Sequence, residues 1–460
     1  MSLSLTREIA FDIFARVLNE RKKPEELLEL AYSEHGKKLK RLDRNFIKQI
    51  LYGSLRMHSK LYWILQNTSK RNLDKSSPEI VAALVVGTYQ IYYMDRVPDR
   101  AAVNESVEYV RKKGQTSACP FVNGILRQIA RRSQYFQKPD KIKDPVDYLT
   151  IQHAHPKWIV RRWLKQFKFD KAKELLSQNN EEPPFGVRVN TLKYPDDESH
   201  KLQSMLLKDE GIRSDRRPIK SALRLKESPK FGQQSLFGAG HYTVQDEASQ
   251  LVSLMVAPSK GQSVVDACAG PGGKLSHLYE LGEETLDLTA VEFDERQLNR
   301  AKETMERLGH KKLLWVKEDF REFKPKEAVD KILLDAPCSG LGVLRRHPEG
   351  KWQKTEAAIG KIAAVQREMI EHGLTLLKPG GELIFSTCSF EREEGEAHLE
   401  YLKRKYKDVI EVISPIGRIP DYYRKYVTSS QCLVIYGGNS DQLDGFSAFI
   451  IKVKENITKG

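Results

Sequence analysis

Two cysteines have the setting best suited to chemistry: Cys338, in Asp335-Ala336-Pro337-Cys338-Ser339-Gly340, and Cys388, in Ser386-Thr387-Cys388-Ser389. Each follows a short apolar run (Ile332, Leu333, Leu334 and Leu383, Ile384, Phe385). That pattern predicts a buried strand ending just before each thiol, at the edge where open α/β sheets bind ligands. Two thiols would then face one crevice. The chain holds five cysteines in 460 residues, so a pair matched at two strand ends is a poor candidate for chance and points to thiol chemistry. The bland alternative is two small buried hydrophobes, since free cysteine is often buried. The cysteines are odd in number and lack any CxxC pair, so reduced thiols are expected, and no metal site.

A third segment adds ligand-binding character. The run through Asp266-Ala267-Cys268-Ala269-Gly270-Pro271-Gly272-Gly273-Lys274 leads from a predicted strand into a predicted helix. Glycines at such a turn let the backbone approach a ligand, and the helix amino terminus favours an anionic group. The spacing is neither a P-loop nor GxGxxG, which argues against a nicotinamide-dependent oxidoreductase. Glu292 closes the next strand about twenty residues on, where an acidic side chain takes ribose hydroxyls. A nucleoside carrying a carboxylate fits as well as one carrying phosphates, and S-adenosyl-L-methionine is a ligand of the first kind.

These motifs need a frame, and from about residue 245 the sequence supplies one. Strand-like runs at 263–268, 286–293, 313–316, 331–335, 382–387, 409–413 and 446–453 alternate with helical stretches such as 295–308 and 356–377. A doubly wound sheet of about seven strands is expected, with one closing strand antiparallel. Residues 5–132 instead repeat their apolar positions at helical spacing, as in Ile9, Ile13, Val17 and Ile47, Ile50, Leu51, with breaks at Pro98, Pro120 and Lys138-Pro139-Asp140. Residues 141–240 read as a small α+β module in which Trp158 and Trp163 are core. Arg188, Asn190 and Lys193 there fit a phosphate-contacting or simply exposed strand. The expected domains are 1–140, 141–240 and 241–460.

Charge follows that division. Residues 1–140 hold 25 Lys and Arg against 15 Asp and Glu, residues 141–240 hold 20 against 13, and the remainder 31 against 34. The whole basic excess precedes the cysteine-bearing part. Such a field suits a polyanion held for a carboxy-terminal catalyst, and it suits a merely soluble surface as well. No apolar run approaches the roughly 18 residues of a membrane span, and the charged amino terminus argues against a signal peptide. A cytoplasmic monomer without a membrane partner is expected.

Together the glycine loop, Asp335 to Gly340 followed by Arg345-Arg346-His347-Pro348-Glu349, and Ser386-Thr387-Cys388-Ser389 resemble the RNA cytosine-5 methyltransferase family of the Nop2/Sun type. Gln245-Asp246-Glu247-Ala248-Ser249 and Asp444-Gly445-Phe446 look like that family too. Ala101 to Val107 and Phe121 to Arg127 resemble the NusB-like RNA-binding helical domain, although Asn104 and Asn123 there also suit helix caps. The combination is similar to the bacterial small-subunit rRNA methyltransferases. The resemblance implies that Cys268, Ala269, Gly270, Pro271, Gly272, Gly273 and Lys274 wrap the methionine part of S-adenosyl-L-methionine. It implies further that Glu292 holds the ribose, that Asp319 lies by the adenine (or is a simple turn carboxylate), and that Asp335 lies near the transferred methyl and the target base.

The same resemblance makes Cys388 the nucleophile on carbon 6 of cytosine and Cys338 the release partner, with the swapped roles of DNA cytosine-5 methyltransferases as the alternative. Asp335 and Lys274 are expected at the pyrimidine's polar edge, Asp335 favouring protonation at ring nitrogen 3. Arg345, Arg346 and His347 either hold flanking phosphates or form a solvated loop. Two positions depart from the common family pattern: Gly270, where alanine is usual, and Glu292, where aspartate is usual. The expected activity is methylation of a cytosine in 16S ribosomal RNA, with transfer RNA as the second substrate and a non-catalytic RNA-binding assembly factor as the other class.

Overall fold

The computed structural model describes residues 3–132, 143–195, 198–229, 231–232, 234–438 and 440–457. The break expected at Lys138-Pro139-Asp140 and the last residue of the basic run, Lys230, lie outside the described residues. The chain forms two compact units, Met1–Glu182 with Leu344–Glu356, and Pro183–Val343 with Ala357–Gly460. Among the described residues no helix is long and apolar enough to cross a membrane.

The first unit is helical. Its stripes at three- and four-residue spacing turn inward, so Phe11, Phe14, Ile47, Ile50, Leu51, Val85, Leu126 and Ile129 share one core. Helix Pro78–Tyr93 starts on a proline, and Ser77 Oγ accepts the Ile80 N–H at 3.4 Å. Asn104 and Asn123 lie inside helices Asp99–Lys112 and Cys119–Arg132, so neither is a cap. Their neighbour Glu105 ties down the first helix, accepting from Ser4 N at 2.9 Å and Arg7 Nη1 at 2.7 Å. Three further helices, Pro145–Gln152, Lys157–Gln166 and Phe169–Gln178, bury Trp163 as expected and half-bury Trp158.

The segment Leu344–Glu356, which follows the Pro-Cys loop in the chain, belongs to this helical unit. Lys351 is fully buried and donates to the carbonyls of Arg56 and Ala154, both at 3.2 Å, and to Asn180 Oδ1 at 2.7 Å. Trp352 Nε1 donates to Leu55 O at 2.7 Å. Arg345 is buried here, against the expectation of a phosphate-holding loop, while Arg346 is half-buried and His347 exposed. A short basic run gives no sign that its first member will be buried.

The second unit contains two sheets. The smaller is antiparallel in the order β2-β3-β1-β4, from β1 (Phe185–Val189), β2 (Ser214–Arg216), β3 (Ala222–Leu225) and β4 (Tyr242–Val244). Its core holds Val187, Val189, Leu202, Leu223 and Tyr242. The larger is built from β5 (Ser263–Asp266), β6 (Asp287–Val291), β7 (Leu314–Val316), β8 (Val329–Asp335), β9 (Leu377–Thr387), β10 (Ile410–Ile413), β11 (Leu433–Ile435) and β12 (Phe446–Val453). Its order is β10-β12-β9-β8-β5-β6-β7, with β11 beside β12, eight strands in all. The unexpected strand is β11, whose three residues are too few to alternate visibly.

Strands β5 to β9 pair in parallel, whereas β12 runs antiparallel to β9 and β10. Register pairs Asp266 with Leu333, Asp335 with Ser386 and Thr387 with Ser447. The glycine loop, the Pro-Cys loop, the Thr-Cys turn and the start of β12 therefore meet at one sheet edge. The long helices Glu247–Val256, Gly273–Leu281, Glu295–Leu308, Glu356–Thr375 and Glu396–Lys405 separate the strands.

Candidate active site

The two thiols do meet: Cys338 Sγ and Cys388 Sγ are 3.1 Å apart, each half-buried. The Cys338 thiol is held well above the usual thiol range, first by its hydrogen bond to Cys388 and then by burial. Either sulfur can donate across this contact. Cys268, the third cysteine at this edge, is pushed well up by burial and by Asp266, Glu292, Asp335 and Asp319. It stays a thiol.

Beside the pair, Lys274 Nζ donates to Asp335 Oδ2 at 2.6 Å, and Ser386 Oγ donates to Asp335 Oδ1 at 2.7 Å. Lys274 Nζ also stands 5.3 Å from the centre of the Phe446 ring. One lysine and one aspartate join the glycine loop, the Pro-Cys strand, the Ser-Thr-Cys strand and the closing Asp-Gly-Phe segment. Gly342 leaves no room for a side chain: a Cβ there would stand 2.1 Å from Gly445 O and 2.9 Å from Cys388 O. The Gly342 N–H donates to Cys388 O at 3.1 Å, so no other residue fits without moving the Cys388 backbone.

Glu292 lies as expected after β6, yet much of its carboxylate serves the protein. Oε2 accepts the Gly270 N–H at 2.8 Å and Oε1 the Asp294 N–H at 2.9 Å. The two departures from the family pattern are therefore one contact. Gly272, at φ +88° with a Cβ position 3.1 Å from the Ala301 Cα, needs to be glycine for both reasons. Asp319 accepts from Arg321 Nη2 at 2.7 Å and from the Arg321 N–H at 2.9 Å, which lowers its carboxyl, with the Arg321 side chain the main cause.

Several residues of this site carry no obvious mark in the sequence. Asp266, at the end of β5, is 1 % exposed and neither carboxylate oxygen has a hydrogen-bond partner. Burial and Asp335 push it up to about 7, against the pull of Lys274. An acidic residue closing an apolar run was the available signal. Glu394, fully buried, accepts from Ser339 N at 2.7 Å and from Ser339 Oγ, and its own carbonyl accepts Thr387 Oγ1 at 3.1 Å. Gln366 Nε2 donates to Pro337 O at 2.8 Å, and Gln366 Oε1 is hydrogen-bonded to His398 Nε2 at 2.9 Å. This network fixes both cysteine loops. In the sequence Glu394 is hidden in an acidic run that reads as a solvated turn.

Arg188 is the clearest correction. It contacts no solvent, and its guanidinium donates to Glu280 Oε1 and Gly273 O, both at 2.7 Å, to Ser276 Oγ at 2.8 Å and to Gln245 Oε1. Asn190 is also buried, donating to Gly240 O and Leu308 O at 3.0 and 3.1 Å, while Lys193 is exposed. Instead of phosphate, Arg188 grips the first turn of the helix that follows the glycine loop. Alternation along a strand does not tell a solvent face from one covered by a neighbouring module.

Comparison with known proteins agrees with this geometry. Residues 253–448 match the family described as 16S rRNA methyltransferase RsmB/F, residues 4–131 the NusB family, and residues 155–231 the Methyltr_RsmF/B-like ferredoxin-like domain. The Bacillus subtilis protein named "Probable ribosomal RNA small subunit methyltransferase B" is 30% identical over 398 residues, 85% of this chain and 87% of its own. The chain belongs to this family. Ribosomal RNA small subunit methyltransferase B of Salmonella paratyphi B is 31% identical over 371 residues, 80% of this chain and 83% of its own. The crystal structure of PH0851 shares the fold with a TM-score of 0.80 at 23% identity, over 98% of this chain and 100% of that one. Within the family frame, the helical bundle is a NusB domain, the small sheet a ferredoxin-like module and the large sheet a Rossmann-like methyltransferase domain.

Proposed function

We propose that this protein transfers a methyl group from S-adenosyl-L-methionine to carbon 5 of a cytosine in 16S ribosomal RNA through a covalent adduct on Cys388. The observation that carries this reading is the contact of the two thiols beside the Lys274–Asp335 pair. Carbon 5 of cytosine is a poor nucleophile until a thiolate adds to carbon 6. Cys388 supplies that thiolate, and Lys274 offsets the negative charge that addition pushes onto the ring. Asp335, held by Lys274 and Ser386, orients the pyrimidine's nitrogen 3 edge.

The loop Cys268–Lys274 with Glu292, Asp319 and Asp335 suits the methyl donor on charge grounds. Four carboxylates, Asp266, Glu292, Asp319 and Asp335, surround Cys268, a field that favours a sulfonium and an ammonium. The donor supplies an electrophilic methyl. After transfer the carbon 5 proton must leave; Cys338 first releases its own thiol proton to solvent, the resulting thiolate takes the carbon 5 proton, and the electrons of that C–H bond expel the Cys388 sulfur from carbon 6 as a thiolate. A base inside a stacked helix is out of reach, so the cytosine is flipped or unpaired, with the basic NusB and ferredoxin-like parts holding the RNA.

The test is methyl transfer to 16S rRNA with tritiated donor, followed by nucleoside analysis. Wild type yields 5-methylcytosine, Cys388→Ala yields none, and Cys338→Ser accumulates a protein–RNA adduct that survives denaturing electrophoresis. Turnover by Cys388→Ala refutes the nucleophile assignment; an adduct in Cys388→Ser and none in Cys338→Ser swaps the roles.

A further inference from the structure

The thiol pair has a second chemistry that methyl transfer does not use. Of the five cysteines, Cys119 donates to Val107 O at 3.6 Å and Cys432 to Ala448 O at 3.3 Å, both buried, and Cys268 lies among carboxylates. Cys338 and Cys388 are half-buried and stand sulfur to sulfur at 3.1 Å, about 1 Å beyond the disulfide bond length of about 2.05 Å. We propose that this pair is a modification site for hydroperoxides: Cys388 is oxidised, Cys338 closes on it, and the resulting disulfide holds the enzyme inactive until a dithiol reduces it.

The step balances without any group beyond the peroxide. The Cys388 thiolate attacks one peroxide oxygen, the O–O bond breaks, and hydroxide leaves and takes up the proton from the Cys338 thiol as water. The Cys338 sulfur then attacks the Cys388 sulfenic sulfur, forming the S–S bond and expelling a second hydroxide, which solvent protonates. Two electrons pass from the two sulfurs to the peroxide, and two waters form.

The surrounding hydrogen bonds favour ring closure over further oxidation. Glu394 holds Ser339, one residue after Cys338, and Thr387, one residue before Cys388; the Gly342 N–H holds the Cys388 carbonyl. The resolving thiol is therefore present at every oxidation event, whereas a second peroxide must diffuse in. Closure removes the free sulfur that would add to cytosine.

The inference rests on the proposed methyl transfer for its effect on activity, but the bond itself is read independently. The reduced full-length protein is treated with about a tenfold excess of hydrogen peroxide, alkylated and digested. The expected result is a fall from five alkylatable thiols to three, a crosslinked peptide pair carrying Cys338 and Cys388, and methyl transfer lowered about tenfold or more, all reversed by dithiothreitol. In Cys338→Ser, Cys388 proceeds to sulfinic acid, which dithiothreitol does not reverse.

Five thiols persisting after peroxide, or sulfinic acid on Cys388 in wild type with Cys338 free, overturns the proposal. A reversible crosslink in a protein that methylates nothing when reduced overturns the proposed function and leaves the modification standing.

Discussion

Asp266 and Glu280 are both sealed from water in the same domain, and their carboxylates fare in opposite ways. Glu280 receives Arg188 through two N–H groups, the Thr191 N–H at 3.2 Å, and His310 at 3.3 Å. Burial alone would raise its carboxyl, yet Arg188 and His310 outweigh burial and bring it down to about 2. Asp266 receives no well-formed hydrogen bond, only the weak pull of the Cys268 N–H, and burial with Asp335 lifts it to about 7. A buried charge with all its partners is scaffold, here the brace between the ferredoxin-like module and the helix after the glycine loop. A buried charge without such partners costs stability, a cost that donors on a ligand would relieve.

The largest break in this comparison is Arg188→Ala. It leaves Glu280 buried and unpaired, for an expected loss of about 3–5 kcal/mol in the urea unfolding free energy. Replacing both members by apolar residues, Arg188→Met with Glu280→Leu, recovers most of that loss, because a buried pair is roughly neutral against well-packed hydrophobes. The pH dependence has a definite sign. Glu280, depressed to about 2, contributes stability that is present above its unfolded value of about 4.3 and is lost as pH falls toward 2. The acid limb should be shallower in the double variant. An equal loss in both variants shows that volume, not charge, holds the brace.

Asp266→Asn tests the other half and moves stability upward. A raised carboxyl gives its stabilising contribution below the unfolded value of about 3.9 and loses it as pH rises through about 7. The asparagine variant should melt like wild type at pH 4 and gain about 1–3 kcal/mol at pH 8, where the wild-type charge is buried without a donor. Calorimetric titration with S-adenosyl-L-methionine should meanwhile show about tenfold weaker binding, one hydrogen-bonded charge lost. Unchanged affinity removes Asp266 from the ligand site; an unchanged melting profile removes the buried charge.

How much of this was legible in the sequence depends on how local the cause is. The parallel strands, their order of motifs, and the helix Glu295–Leu308 follow from short-range periodicity and from Asp294, whose side chain accepts the Arg296 N–H at 2.8 Å. The meeting of Cys338 with Cys388 was legible too, because strand ends in a parallel sheet share an edge. Arg188, Glu394 and Asp266 were not, since each takes its role from residues far along the chain or from having none. Arg345 is buried where its basic run suggested exposure, and nothing in its neighbouring sequence marks that burial.

Glu292 stands between the two extremes, with one backbone donor on each oxygen, and so gives the smallest and finest test. Because Gly270 and Glu292 touch, restoring the common family residues one at a time should not be additive. Glu292→Asp shortens the side chain by one methylene and draws it away from the Gly270 N–H. Gly270→Ala places a Cβ on a residue at φ +50°, in open space but in a conformation that alanine adopts reluctantly. If the two form one unit, the double variant should bind the methyl donor better than the sum of the single losses predicts, with a coupling of about 0.5–1 kcal/mol in a double-mutant cycle. A coupling near zero means that Glu292 acts on the ribose alone, and that its bond to the loop only fills lone pairs that would otherwise face water.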